Sequence, residues 1–336
     1  MQAMRWRWLG ALGALILLSA ACGDQRSIEP ASSPATSEPA TSEPGASEPA
    51  AVWTRGPRAP IALTEIAAAT HRGQIWVAGG LRGDGSASGA VFVFDPGSND
   101  WAEGPALPEP IHHAALVSDG DALWLVGGYV GGGFGRPTAA VRRLDDDATE
   151  WLDERALPEP RAAGAAAWDG SAIVYAGGVE PGAVAADVFA QREHGWDTIG
   201  RLSTAREHLA AASDGMGRTL FLGGRAGGLD RNLAAVDLVD GGAVRRIDDL
   251  PTRRGGVAAF WWPNLGGCLV GGESPEGTNS EVECTTVDGQ QTRLAGLGVA
   301  RHGLGAVVLN GSAWVLLGGP EPGLFVSDVV EIMRLR

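Results

Sequence analysis

The sequence predicts an all-β fold, a six-bladed β-propeller of four-stranded blades closed by its N-terminal strand. Three observations carry this expectation. Six short hydrophobic runs end in a glycine pair, at Gly79-Gly80, Gly127-Gly128, Gly177-Gly178, Gly223-Gly224, Gly271-Gly272 and Gly318-Gly319. The first positions of these pairs lie 48, 50, 46, 48 and 47 residues apart, the mark of one supersecondary unit copied around an axis. The composition, 51 glycines and 20 prolines among 336 residues with 44% hydrophobic residues, suits many short strands joined by tight turns.

Residues 1–21 read as a signal peptide. Arg5 and Arg7 precede an uncharged stretch from Trp8 to Ala21, too short to span a bilayer comfortably, and Cys22 follows. The segment from Leu18 to Cys22 resembles a bacterial lipobox, which implies a lipidated Cys22, a membrane anchor and an extracytoplasmic location in the cell envelope. Ordinary cleavage after Ala21 is the alternative. Residues 22–50 are expected to form a disordered tether, with Ser37-Glu38-Pro39, Ser42-Glu43-Pro44 and Ser47-Glu48-Pro49 at a five-residue period and almost nothing apolar larger than alanine. At polyproline pitch this segment reaches roughly 85 Å.

Residues 51–336 carry the repeat. Each copy shows an Ala/Gly-rich strand, a turn, a hydrophobic strand ending in the glycine pair, a variable loop and two further extended pieces. In the third copy these are Arg161 to Gly170, Ser171 to Gly178 and Ala186 to Trp196. Trp101, Trp151 and Trp196 follow their glycine pairs by 22, 24 and 19 residues and are expected to pack between blades. This pattern resembles the kelch repeat, a double glycine after a hydrophobic strand with a tryptophan about twenty residues on. In the fourth and fifth copies Ile247 and Leu294 are read as standing in the tryptophan's place. Trp53 precedes the first glycine pair while the last copy lacks an outer strand, so residues 51–55 are expected to complete the last blade and remove both open edges.

Two cysteines remain, Cys268 and Cys284. If Gly271 opposes Glu281, register places the two cysteines opposite each other as a candidate disulfide, with two buried thiols as the alternative. Kelch propellers also include copper radical oxidases, but the only tyrosines, Tyr129 and Tyr175, stand beside no plausible ligand set. No cofactor and no metal is therefore expected. A net charge of -14, with no lysine among the 26 basic residues, argues against a nucleic-acid partner.

The candidate site follows from topology. The start of the inner strand and the end of the second lie at one end of the propeller, so residues 16 or 17 positions before each glycine pair converge on one mouth. They are Leu63, Ile111, Arg161, Arg206, Arg254 and Arg301. Two residues on, on the same strand face, stand Glu65, His113, Ala163, His208, Gly256 and Gly303. His112 and His302 have the opposite phase and are read as pointing between blades. Arg225 and Glu273 follow two of the glycine pairs at the same mouth.

The ligand-binding candidates are thus Arg161, Arg206, His208, Arg225, Arg254, Glu273, Arg301 and His302, forming a basic pocket for an anionic or polyhydroxylated ligand. The alternative is that each arginine bridges to a neighbouring blade, with Glu65, Glu207 and Glu273 as partners. The first functional reading is a monomeric, non-catalytic, membrane-tethered module that binds an envelope protein or anionic glycan. The second is a sugar mutarotase resembling the periplasmic N-acetylneuraminate epimerase, with His208, Glu207, Glu273 or His302 as general acid and base. A third is pure scaffolding.

Overall fold

Six antiparallel four-stranded sheets follow one another along the chain in a computed structural model that describes residues 52–334; the expected signal peptide, Cys22 and the whole of the expected tether lie outside the described residues. The first blade runs Ala67–His71, Gln74–Ala78, Val91–Asp95 and Asp100–Glu103 from the axis outward, and the next four blades repeat that order. The sixth takes Gly305–Leu309, Ser312–Leu316 and Val330–Arg334 from the C-terminal end and Thr54–Arg55 from the start of the propeller. Thr54 faces Ile332 and Arg55 faces Glu331 in antiparallel register, so the ring is closed as expected.

The six inner strands touch their neighbours all round the axis. Their small residues, as in AAATH (Ala67–His71) and AAAS (Ala210–Ser213), allow that convergence. Away from the axis the core lies between blades. Phe94 of the first blade stacks on Trp314 of the sixth, with ring centroids 5.0 Å apart, and on Trp101 at 5.3 Å.

The glycine pairs have a steric cause. The first glycine of each of the first five pairs has φ between 62° and 68°, and the second between 93° and 107°. A Cβ on Gly127 would sit 2.5 Å from the Arg161 carbonyl of the next blade, and one on Gly128 would sit 2.9 Å from His112 O. Without side chains the chain comes close enough for Gly128 N–H to donate to Arg161 O at 2.8 Å, and Gly178, Gly224 and Gly272 donate likewise to Arg206, Arg254 and Arg301. The pair is therefore a joint between blades.

The sixth copy departs from its sequence reading by one residue. Leu317, at φ 53°, takes the first position, and Gly318 takes the second and donates to Leu63 O at 3.0 Å. Gly319 is the next residue along, and its N–H donates instead to His302 O.

The tryptophan position also needs correction in two blades. Trp101, Trp151, Trp196 and Trp53 occupy equivalent places, and each indole donates to a carbonyl just beyond the preceding blade's outer strand: Pro57, Pro105, Arg155 and Ala295. By register the equivalents in the fourth and fifth blades are Val244 and Gln291, not Ile247 and Leu294. Gln291 still donates to Asp249 O at 2.6 Å, preserving the inter-blade bond without the ring. In the fifth blade Gly271 N–H donates to Glu281 O, Cys268 and Cys284 are register partners, and the structure joins them as a disulfide.

Candidate functional site

The four arginines do not line the mouth. Arg161, Arg206, Arg254 and Arg301 are buried inside the blades, the last three at 0% exposure. Nor are their partners Glu65, Glu207 and Glu273. Arg206 pairs with Asp237 at 2.6 Å, Arg254 with Glu283 at 2.6 Å and Arg301 with Glu331 at 2.7 Å, each carboxylate on the third strand of the same blade. Arg161 holds Glu180 at 2.7 Å and Asp187 at 3.4 Å. Spare guanidinium N–H groups bond strand carbonyls, as Arg206 does to Phe221 O and Arg254 to Leu269 O. Each arginine thus accepts a glycine N–H from the preceding blade on its own carbonyl and clips its side chain into its own blade. Burial pulls Arg301 down to about 10, with Glu331 opposing, which leaves it charged at neutral pH. The expected basic pocket is replaced by four neutralised structural pairs.

The second ring of positions does form the mouth. Glu65, His113, Ala163, His208, Gly256 and Gly303 all have φ between 52° and 65°. Their backbones form a hydrogen-bonded collar: His113 N–H donates to Glu65 O, Ala163 to His113, His208 to Ala163, Gly256 to His208 and Gly303 to Gly256, at 2.7 to 3.1 Å. Ile66 N–H closes the circle on Gly303 O at 3.4 Å. The left-handed backbone costs a residue with a side chain about 1 kcal/mol or more. Glycine avoids that cost in two blades, while Ala163 bears it in one and Glu65, His113 and His208 in three. Gly303 is required for a further reason, since a Cβ there would meet Glu65 Oε1 at 2.7 Å.

Those three side chains meet on the axis at a cavity of about 90 Å³. His113 Nε2 lies 3.0 Å from His208 Nε2 and 3.2 Å from Glu65 Oε2. His112 turns its Nδ1 to His113 Nδ1 at 2.5 Å, and Tyr129 packs its ring against both. Tyr129, which sequence spacing sets beside no ligand set, therefore borders this histidine cluster. His302 points its Nδ1 at Glu65 Oε1, 3.3 Å away, and at Glu273 Oε2, 3.7 Å away. Burial keeps His113 neutral, down to about 4, and pushes His208 well below its ordinary value with help from Arg225. Burial also works to raise the Glu65 carboxyl, but His113, His302 and His208 outweigh it and hold Glu65 well below the usual carboxylate range. His302 is the exception among the rings: burial would lower it, yet Glu65 and Glu273 raise it.

Beside the axis opens a larger cavity of about 560 Å³, lined by Tyr129, Glu180, Glu207, His208, Arg225 and Arg231 among others. Arg225 is stretched between Glu207 and Glu273, 2.9 Å from each, and Asn232 Nδ2 secures Glu273 O at 2.6 Å. His208 Nδ1 rests against Glu207 Oε2. Phe134, 57% exposed, stacks edgewise on His112 and Tyr129 at the rim. Of the eight sequence candidates, the structure brings His208, Arg225, Glu273 and His302 together and removes the four ring arginines. Glu65, Glu207 and His113 complete the group. Carboxylates outnumber guanidinium groups there, so the mouth is not a basic surface.

The Kelch motif matches residues 62–108, which include the first blade. Alpha-scruin of Limulus polyphemus is 32% identical over 82 residues, spanning 23% of this chain and only 9% of alpha-scruin. The solved structure of YjhT is similar with a TM-score of 0.68 at 14% identity, over 83% of this chain and 99% of that one. At that identity the likeness speaks for the fold alone. The chain is a six-bladed β-propeller that carries a kelch motif.

Proposed function

We propose that the propeller is a binding module, held outside the cytoplasm through a lipidated Cys22, that takes a hydroxyl-rich glycan without net negative charge at its mouth. The observation that carries this reading is the cavity of about 560 Å³ where Arg225 is fixed between Glu207 and Glu273. Oriented donors and acceptors of that kind suit sugar hydroxyls, and Phe134, packed on Tyr129 of the cavity lining, offers an apolar face to a pyranose ring. The excess of carboxylates there turns the expected ligand from an anionic glycan to a neutral one. Thermal shift and calorimetry against neutral and anionic oligosaccharides test it. Neutral sugars should bind, and Phe134→Ala should weaken them ~10-fold, about 1.4 kcal/mol, without lowering the melting temperature. A response confined to anionic sugars, or none to either class, refutes the proposal.

One observation favours catalysis as a second reading. His208 is kept neutral and its Nδ1 rests on Glu207, the arrangement of a base with an orienting carboxylate. Opening a bound aldose ring moves the anomeric hydroxyl proton to such a base as the C1–O5 bond breaks, and protonated His302 would give a proton to the released ring oxygen, with Arg225 as a hydrogen-bond donor to it. Magnetisation-transfer NMR on an equilibrated aldose reads this directly. Accelerated anomer exchange that His208→Asn removes, with binding retained, selects the enzyme; exchange at the buffer rate selects the binding module.

A further inference from the structure

We propose that Glu65, His113 and His208 form a site for a divalent transition-metal cation, zinc foremost, on the propeller axis. The inference is independent of the glycan-binding reading and excludes His208 as a general base, since both would use its Nε2; it rests on the axial cavity and on where the protons of His112, His113 and His208 must lie.

The groups that face each ring fix those protons. His112 Nε2–H donates to Gly133 O at 3.0 Å, which leaves His112 Nδ1 to accept from His113 Nδ1–H at 2.5 Å. On His208, Nδ1 faces Glu207 Oε2 and so carries the hydrogen of the neutral ring. Both Nε2 atoms are then bare lone pairs, and they face each other across 3.0 Å. A carboxylate oxygen of Glu65 joins them 3.2 Å from His113 Nε2, and one ligand atom from each of the three residues lies within 4.8 Å of the others. Three converging acceptors with no hydrogen between them repel one another unless a cation sits at their centre. Atoms bound at about 2.0–2.1 Å to a tetrahedral zinc are roughly 3.3 Å apart, close to the spacing seen.

The surroundings fit the same reading. Imidazole and carboxylate are the donor types that borderline cations prefer, and metal-bound histidines characteristically anchor their other nitrogen. Here Glu207 anchors His208, the His112–Gly133 relay anchors His113, and His302 holds the second oxygen of Glu65 at 3.3 Å. All three ligands also stand at collar positions with left-handed backbone, where a glycine would be less strained. His208 borders both the axial cavity and the mouth cavity, so a fourth coordination position is reachable from the mouth. The competing occupant is a proton shared by the two Nε2 atoms.

The test is a Co2+ titration of the untagged full chain after chelator treatment, read by visible absorption. One Co2+ per chain should bind with the strong d–d bands of a four- or five-coordinate ion, and Zn2+ should displace it. His113→Asn and His208→Asn should each abolish those bands, and Glu207→Gln should weaken binding roughly 10- to 100-fold by releasing His208. A spectrum that stays that of hydrated Co2+, as a shared proton predicts, overturns the proposal. So do bands that survive both histidine substitutions. Should either variant unfold, Glu65→Gln carries the same comparison, and circular dichroism confirms which variants are folded.

Discussion

At the scale of single residues, His113 shows how burial becomes pH dependence. Its folded value is about 4 against 6.5 for the free side chain, because burial disfavours the charged ring. On acidification the unfolded chain therefore takes up the proton first, and stability falls between pH 6.5 and 4, by about 3 kcal/mol from this ring alone. His208, shifted in the same direction, adds to the loss. His302, raised by Glu65 and Glu273, acts oppositely: its contribution is complete below pH 6.5 and fades as pH rises through its folded value. Urea unfolding in chelator from pH 8 to 4 should thus show the steep decline on the acid side, flattened in His113→Asn, whose side chain tolerates the left-handed backbone. An equal decline in that variant removes His113 as the cause. Leu317 sets strain against packing in the same way. Its φ of 53° costs about 1 kcal/mol, but the side chain is fully buried, and emptying such a site costs about 2–5 kcal/mol. Leu317→Gly should therefore destabilise by roughly 1–4 kcal/mol in urea although it relieves the backbone; a gain in stability would show that strain dominates.

At the scale of the blade, the arginine clip is the recurrent device. Glu283, itself buried, receives the buried Arg254 at 2.6 Å and the half-buried Thr252 Oγ1 at 2.7 Å. Removing one partner leaves a buried charge, so Glu283→Gln should cost about 3–5 kcal/mol, whereas Arg254→Met with Glu283→Leu should recover most of it. Denaturant midpoints of the two variants decide the matter, and a double variant no better than the single one would mean that the pair itself stabilises. The clip also marks how far the sequence could be read. Period and glycine spacing placed Arg161, Arg206, Arg254 and Arg301 at one height of the ring, because a repeat fixes position along each strand. They could not give direction. The carboxylates that turn these side chains inward, Asp187, Asp237, Glu283 and Glu331, lie 26 to 31 residues on, across a variable loop. His113 and Glu65 were visible at their ring positions, but their meeting with His208 depends on the collar's left-handed backbone. That conformation follows from the close approach of blades and not from local residue preference. The one-residue shift at Leu317 escaped for a related reason: Gly319, required because a Cβ there would meet Phe325 O at 2.3 Å, completes a pair that is not the joint between blades.

At the scale of the whole ring, stability depends on the joint between the two ends of the propeller. Thr54–Arg55 adds only two residues of ladder, yet Gly56 N–H also reaches Val330 O at 2.9 Å and Trp53 Nε1 reaches Ala295 O at 2.7 Å in the fifth blade's trailing segment. Trp53 packs on the cluster that contains the Cys268–Cys284 bridge and Leu297. The latch therefore ties the sixth blade to the fifth as well as covering the edge of Val330–Arg334. Deleting residues 52–55 removes both functions, and the exposed strand becomes a template for another chain. The melting temperature should fall by roughly 10 °C or more, with concentration-dependent association in light scattering. Arg58→Ala, which removes an ion pair whose arginine is 70% exposed, is the control and should leave both readings unchanged. If the deletion melts like the parent chain and stays monodisperse, the five blades formed wholly from consecutive segments hold the ring without a latch, and closure at Thr54–Arg55 is incidental to stability.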